Sequence, residues 1–516
     1  MEKVVIGLTG ATGAMGSEAF RQLLEIDAPL YIKLLIRNPR RLSRALRSLI
    51  RKQKTRVEVI VASITDKDAV RAFVTGCDYV VHCAALIPPR ADHNDAETMA
   101  TNYTGTQNII DAIDETHQQS STRLVHISTV AVYGHRDWKH PWARMGDPVL
   151  ISAYDYYGAS KALGERAVLE SDIENWVVLR QTGTLHKKFM TNNLNDGLMF
   201  HTVWNGPLEW VTDTDSGRLI QHLIEKELRG ELNGFWKNDY NICGGTGCRE
   251  TGYDTFKAGF ALMGATPEQF FRPHWNIPRN FHGVWYTDSD ELNGWLDYQR
   301  EDIATFWKQM QKRCWYYKGG KIVPAALLRK IVIERLLSNS NAPLKWVRSN
   351  DTGRIQAFFE SKEKFDAIPT EWEHYPLLIH NRTETGMIDY GALLQSGDNP
   401  LYVLDHGYDE SKPTTELSLA DMQQAAQFRG GTCTSTAMTT GDLFTPLAWK
   451  CHNGHEFTAR PFTIIRAGYW CPHCCMPPRW TYDQEVPHIP FYAQVYYDTH
   501  SVEESNRSYP LSEGDR

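Results

Sequence analysis

Val4-Val5-Ile6-Gly7-Leu8-Thr9-Gly10-Ala11-Thr12-Gly13-Ala14-Met15-Gly16 opens the chain of 516 residues. A short apolar run passes into three glycines spaced by three, and then into an amphipathic segment from Glu18 to Glu25. That order predicts a strand, a glycine turn and a helix. Glycines at this junction keep side chains out of the way, so that backbone N–H groups at the helix N-terminus can approach a pyrophosphate. Gly10, Thr12, Gly13, Met15 and Gly16 are therefore the first candidates for contact with a dinucleotide.

Further apolar runs follow at Tyr31–Ile36, Val57–Val61, Tyr79–Ala85, Leu124–Ile127 and Trp176–Arg180, with helical patterns between them. Strand and helix in alternation predict an α/β domain with a parallel sheet. The second run ends at Arg37-Asn38-Pro39-Arg40-Arg41. An acidic residue there would accept hydrogen bonds from the ribose of NAD, whereas an arginine neutralises the ribose phosphate of NADP. Arg37 favours NADP(H) over NAD(H). Beyond these lies Tyr157-Gly158-Ala159-Ser160-Lys161. A tyrosine and a lysine four apart share one helix face, and an ammonium beside a phenol favours the phenolate. Tyr157 can then act as acid or base.

Taken as a set, the glycine turn, Ser128-Thr129 and Tyr157 with Lys161 resemble the extended short-chain dehydrogenase/reductase superfamily of the NAD(P)-dependent epimerase/dehydratase type. The resemblance runs to about residue 330. It implies a Rossmann-type doubly wound parallel sheet with a small substrate-binding subdomain, mainly 181–320, inside a domain of residues 1–320. It also implies roles. Tyr157 transfers the proton and Lys161 holds the nicotinamide ribose. Thr129, with Ser128 as runner-up, orients the substrate oxygen, while Ala84 and Ala85 wall the cofactor and Asn102 belongs to its surroundings. The chain departs from the family pattern at Ala62-Ser63, where Gly-Asp is usual, and at Gln181, where proline is usual.

Hydrophobic content of 42% describes a globular chain, and net charge of -7 argues against wholesale nucleic-acid binding. No run approaches the ~18 apolar residues of a membrane span. With no leader pattern at the N-terminus, the expectations are a cytoplasmic protein, no membrane and a homodimer. Eight tryptophans from Trp204 to Trp315 suit either a core or a pocket for an apolar or ring-containing small molecule.

Residues 321–415 read as a helical and irregular connection, 416–498 as a second module, and 499–516 as a disordered polar tail. Five of the ten cysteines fall late in the chain. Cys451 and His455 form a C-x-x-x-H pair, and Cys471 and Cys474 a C-x-x-C pair. Two such pairs can close a tetrahedron around a structural Zn2+, with Cys433, His452, His473 and Cys475 as possible substitutes. The stretch from Arg429 resembles treble-clef or zinc-ribbon modules, an α+β zinc-binding unit. Lys450, Arg460, Arg466 and Arg479 make it locally basic, so contact with nucleic acid is open but disfavoured. Phe491 to Tyr497 reads as a further strand.

The leading expectation is an NADP(H)-dependent oxidoreductase of the carbonyl reductase or alcohol dehydrogenase type. One alternative is a sugar-nucleotide epimerase or dehydratase that recycles its cofactor. Another is an NADP-binding redox sensor with a zinc effector module.

Overall fold

The structure is a computed structural model, described here for residues 3–189, 196–315, 325–377, 403–474, 481–504, 507 and 509. Seven strands form its main sheet. They are β1 (Val4–Thr9), β2 (Leu30–Leu35), β3 (Val57–Ile60), β4 (Tyr79–His82), β5 (Arg123–Thr129), β6 (Asn175–Gln181) and β7 (Asn238–Ile242). Their spatial order is β3-β2-β1-β4-β5-β6-β7, and all six ladders are parallel. This is the doubly wound Rossmann order, with its switch of direction between β1 and β4. Both faces are covered, which is why the strands read as continuous apolar runs.

Helices α1 (Ala14–Leu23) and α4 (Asp213–Leu228) cover one face, around Leu8, Phe20, Leu219 and Leu223. On the other face lie α2 (Gly105–Glu115) and α3 (Tyr156–Leu169). The crevice at the switch point is formed by the turns after β1 and β4. Gly10 adopts φ +76°, and a Cβ there would stand 2.7 Å from the carbonyl of Cys83. Only glycine lets these two strand ends approach so closely.

The second module begins with α5 (Leu419–Phe428), whose Ser418 and Asp421 form a capping box. It continues as an antiparallel sheet of β8 (Gly431–Cys433), β9 (Leu447–Cys451) and β10 (Glu456–Ala459). Its apolar side chains do not make a separate core. Trp176 of β6 packs edge-on against Phe462, with ring centroids 5.5 Å apart, and one hydrophobic cluster runs from Val132 and Ala162 through Trp449 and Tyr469.

Two expectations about the C-terminal stretch are corrected. Phe491–Tyr497 is not a strand: Pro490–Tyr496 is helix α6, with Pro490 in its first turn. Phe491 and Val495, one turn apart, are both buried, so the period is that of a helix. The polar stretch from 499 is packed at its described positions. Glu504 is buried in an ion pair with Arg279 at 2.6 Å, His500 is buried, and the Tyr509 hydroxyl bonds Asp483. A charged segment can be ordered where it meets buried counter-charges, which composition does not reveal. Among the tryptophans, Trp204, Trp275, Trp285 and Trp307 are core, while Trp315 is 70% exposed. Among the described residues, no helix is long and apolar enough to cross a membrane.

Candidate active site and metal centre

The glycine turn is built to leave space. Gly13 is the N-cap of α1 and offers no side-chain cap, so the first-turn amides of α1 have no capping side chain. A Cβ on Gly13 would touch nothing closer than the Gly10 carbonyl at 3.4 Å, whereas on Gly16 it would lie 2.4 Å from that same oxygen. Gly16 thus lets the helix pack on its own turn, and Gly13 leaves its outer side open. Thr12 is exposed, while Met15 is buried in the core behind the turn. This cradle fits a pyrophosphate.

Ala84 and Ala85 are partly exposed at the end of β4, and Ala84 N–H donates to Thr9 Oγ1 at 3.0 Å. Asn102 is buried. Its side chain accepts from Leu86 N–H at 2.7 Å and donates to the Leu86 carbonyl at 3.0 Å and to Ser160 Oγ at 2.9 Å. It therefore fixes the wall and α3 relative to each other without reaching the crevice itself. Arg37 stands at the end of β2, but its guanidinium is held by Glu97 at 2.9 Å, and Arg90 shares that carboxylate at 2.6 Å.

Asp155 caps α3 by accepting from Gly158 N–H at 2.7 Å. Tyr157 and Lys161 follow on one helix face, and Thr129 ends β5 beside them. The Tyr157 phenol is pushed up to about 12 by burial, with a hydrogen bond to the Thr129 side chain acting against the rise and the Asp155 charge adding to it. Lys161 donates to the Ile127 carbonyl at 2.5 Å and is pulled down to about 8 by burial, with Glu165 opposing. The expectation that Lys161 lowers the phenol is corrected here. Helical spacing makes the two side chains neighbours, but the ammonium is directed to a buried carbonyl, and desolvation governs the phenol.

Three features have no role assigned from the sequence. His282 reaches Asp155 at 3.3 Å, beside a cleft also lined by Asp92, His201, Trp346 and Arg354. The Asp92 carboxyl is raised well above its ordinary range by burial and by Asp155 and Asp196. Glu165, one further turn along the face of Tyr157 and Lys161, forms a fully buried ion pair with Arg180 at 2.6 Å. Continuing the four-residue spacing past Lys161 would have found that glutamate.

In the second module, Cys451, His455, Cys471 and Cys474 offer ligand atoms all within 4.8 Å of one another. His455 Nδ1 is 3.5 Å from Cys451 Sγ and 3.7 Å from Cys471 Sγ, and the Cys451 and Cys474 sulfurs are 4.0 Å apart. A tetrahedron with zinc–ligand bonds of about 2.0–2.3 Å has edges of about 3.5–3.8 Å. The four donors fit a zinc ion and leave no open position. Cys433 pairs with Trp449 across the sheet and His452 is held by Glu485 at 3.1 Å, and neither belongs to this group; His473 lies beside it, its N–H donating to Cys471 Sγ at 3.4 Å and its ring 5.2 Å from that of His455, without joining the four converging donors. Cys475 and Arg479 lie outside the described residues.

Comparison with known proteins bears on the first of these sites. Residues 6–180 match the NAD dependent epimerase/dehydratase family. The chain is 32% identical over 171 residues to the rat 3 beta-hydroxysteroid dehydrogenase type 7, covering 32% of this chain and 48% of that protein. It is 34% identical over 214 residues to a dTDP-4-dehydrorhamnose reductase of Mycolicibacterium smegmatis, covering 40% of this chain and 60% of the relative. The chain thus spans about half the length of the curated relatives it matches. Among solved structures it is similar to a dTDP-glucose 4,6-dehydratase of Streptomyces venezuelae with NAD bound, with a TM-score of 0.48 and 20% identity over 61% of this chain and 98% of that one. It is also similar to a UDP-Glc/GlcNAc 4-epimerase of Campylobacter jejuni, with a TM-score of 0.45 and 16% identity over 60% and 100%.

Proposed function

We propose that the protein is an enzyme that moves hydride between an NAD(P) cofactor and a carbinol or carbonyl carbon. The observation that carries this reading is the hydrogen bond between Tyr157 and the Thr129 side chain where β5 ends and α3 begins, with Lys161 one turn along α3 anchored on the Ile127 carbonyl and facing Cys83, the residue that Gly10 of the glycine turn packs against. The α1 amides and Gly13 would hold the pyrophosphate, and Lys161 the nicotinamide ribose. The bound cofactor supplies or accepts the hydride. Tyr157, protonated up to about 12, would donate a proton to the carbonyl oxygen during reduction, and its phenolate would accept one during oxidation. Thr129 would orient that oxygen.

Two outcomes share this chemistry, and the second has at least equal support. Net oxidoreduction agrees with the likeness to a hydroxysteroid dehydrogenase. Internal recycling of cofactor in a sugar-nucleotide epimerase or dehydratase agrees with the matched family, and the dTDP-4-dehydrorhamnose reductase relative supports a sugar-nucleotide substrate with net reduction. Arg37 remains the reason to propose NADP(H), and its pairing with Glu97 is the reason to test NAD(H) beside it. The second module would hold a structural Zn2+. Cofactor titration followed by product analysis with a 3β-hydroxysteroid and a dTDP-sugar separates the outcomes. Stoichiometric NAD(P)H change marks net redox chemistry, and conversion with no net change marks recycling.

A further inference from the structure

The second module reaches the candidate site from behind. Its segment 460–470, which runs directly into the donor Cys471, is hydrogen-bonded to α3 and β6. Arg180 donates to the Ala467 carbonyl at 2.7 Å. The Tyr469 hydroxyl donates to the Ala162 carbonyl at 3.0 Å, and Arg166 donates to the Trp470 carbonyl at 2.7 Å. Arg460 donates to the Leu169 carbonyl at 3.1 Å. In addition, Val149 N–H donates to the Gly468 carbonyl at 3.0 Å.

At the centre of these contacts is Glu165. Its side chain is fully buried, accepts from Arg180 at 2.6 Å and from Ser128 Oγ, and lies against the Tyr469 hydroxyl. Ser128 precedes Thr129 on β5. Lys161 stands one turn before Glu165 on α3, and this carboxylate opposes the effect of burial on the lysine. The other ionisable groups facing Lys161 are His82 and Cys83 at the end of β4, and His126 on β5. Beyond Arg180 lies Asp239 of β7, which also faces Arg466.

We propose that Glu165 is a positioning residue that keeps the Lys161 ammonium charged and fixes the Ser128–Thr129 strand end, and that the metal module braces it through Ala467 and Tyr469. The inference rests on the role proposed above for Lys161. It gives the second module a purpose within the active site: Cys451, His455, Cys471 and Cys474 would hold a metal that tethers Cys471, the segment before Cys471 fixes the Glu165–Arg180 pair, and that pair fixes the groups proposed to grip the cofactor and substrate.

The test uses the purified full-length protein and NADPH, with NADH in parallel, and reads Kd by fluorescence from about pH 6 to pH 10. Affinity is expected to weaken as pH rises through about 8, where Lys161 loses its proton. Glu165→Gln is expected to move that limb toward acid by about one pH unit, a tenfold weaker hold on the proton. Because the single change leaves Arg180 without its counter-charge, Glu165→Gln with Arg180→Gln is measured as well. An unmoved limb in either folded variant overturns the positioning role. A limb that persists in Lys161→Met instead shows that it belongs to another group, and removes the reading of Lys161 itself.

The brace is read independently by hydrogen exchange. Tyr469→Phe is expected to speed exchange of the amides of 161–166 about tenfold, whereas Arg460→Gln, at the far end of α3, leaves them unchanged. Equal exchange in Tyr469→Phe and the unaltered protein overturns the brace. If neither Glu165 variant folds, this exchange experiment decides the proposal alone.

Discussion

At the scale of single residues, two shifts set the chemistry. Burial lifts the Tyr157 phenol to about 12 and lowers Lys161 to about 8. Reduction needs a proton on Tyr157, present below about 12, and charge on Lys161, present below about 8. Reductive kcat/KM should therefore fall as pH rises through about 8, and oxidative kcat/KM should rise with the phenolate fraction up to about pH 8 and stop rising above it, where Lys161 loses its charge. A pH profile in each direction checks both signs. Tyr157→Phe should lower turnover by about 10²–10⁴-fold, the usual reach of a positioned acid or base, with cofactor Kd within about threefold. The placement of Tyr157 and Lys161 on one face of α3, and of the glycines at the turn before α1, was legible because helical spacing and a strand, turn and helix pattern fix it. The direction of the Lys161 ammonium was not, since the accepting Ile127 carbonyl lies far away in the chain and only the sheet brings it near.

At the scale of elements, six of the seven strands of the main sheet were legible to within three residues, because a sheet covered on both faces writes itself as apolar runs, whereas β7, with Asn238, Asp239 and Asn241, is too polar to read as one. Helix α6 was misread because a run of seven residues rich in aromatics satisfies either period, and only Phe491 and Val495 entering the core together decide it. The joint between the modules turns on a glycine. Gly468 adopts φ +76°, and a Cβ there would lie 1.9 Å from the Asp147 carbonyl. Gly468→Ala should therefore cost about 2 kcal/mol or more, combining left-handed strain with a backbone clash. Denaturant unfolding of the variant beside the parent measures it. Gly16→Ala, whose Cβ would press on the Gly10 carbonyl, should destabilise the chain through that backbone clash and also weaken NAD(P)H binding at least about tenfold.

At the scale of the whole molecule, the two modules share one hydrophobic cluster, so the metal centre and the Rossmann sheet should unfold together. A chelator is expected to lower the midpoint of a single thermal transition by stripping the Zn2+ proposed for Cys451, His455, Cys471 and Cys474, since metal binding free energy is folding free energy. Two separate transitions would show that the first domain stands alone. This joint was not legible in the sequence: the donor spacings announce a self-contained module, while the buried contacts from Arg166, Arg180 and Tyr469 depend on distant partners. The same holds for the tail. Deleting residues 499–516 should destabilise the chain by about 3–5 kcal/mol, because Arg279 would keep a buried charge without Glu504.

The most direct measurement pairs cofactor binding with turnover in the parent and in Tyr157→Phe, using NADPH and NADH and, as substrates, a 3β-hydroxysteroid and a dTDP-sugar. The account predicts that both proteins bind cofactor with similar Kd and that only the parent converts a substrate. Conversion by Tyr157→Phe at the parent's rate, or failure of the parent to bind either cofactor, would contradict it.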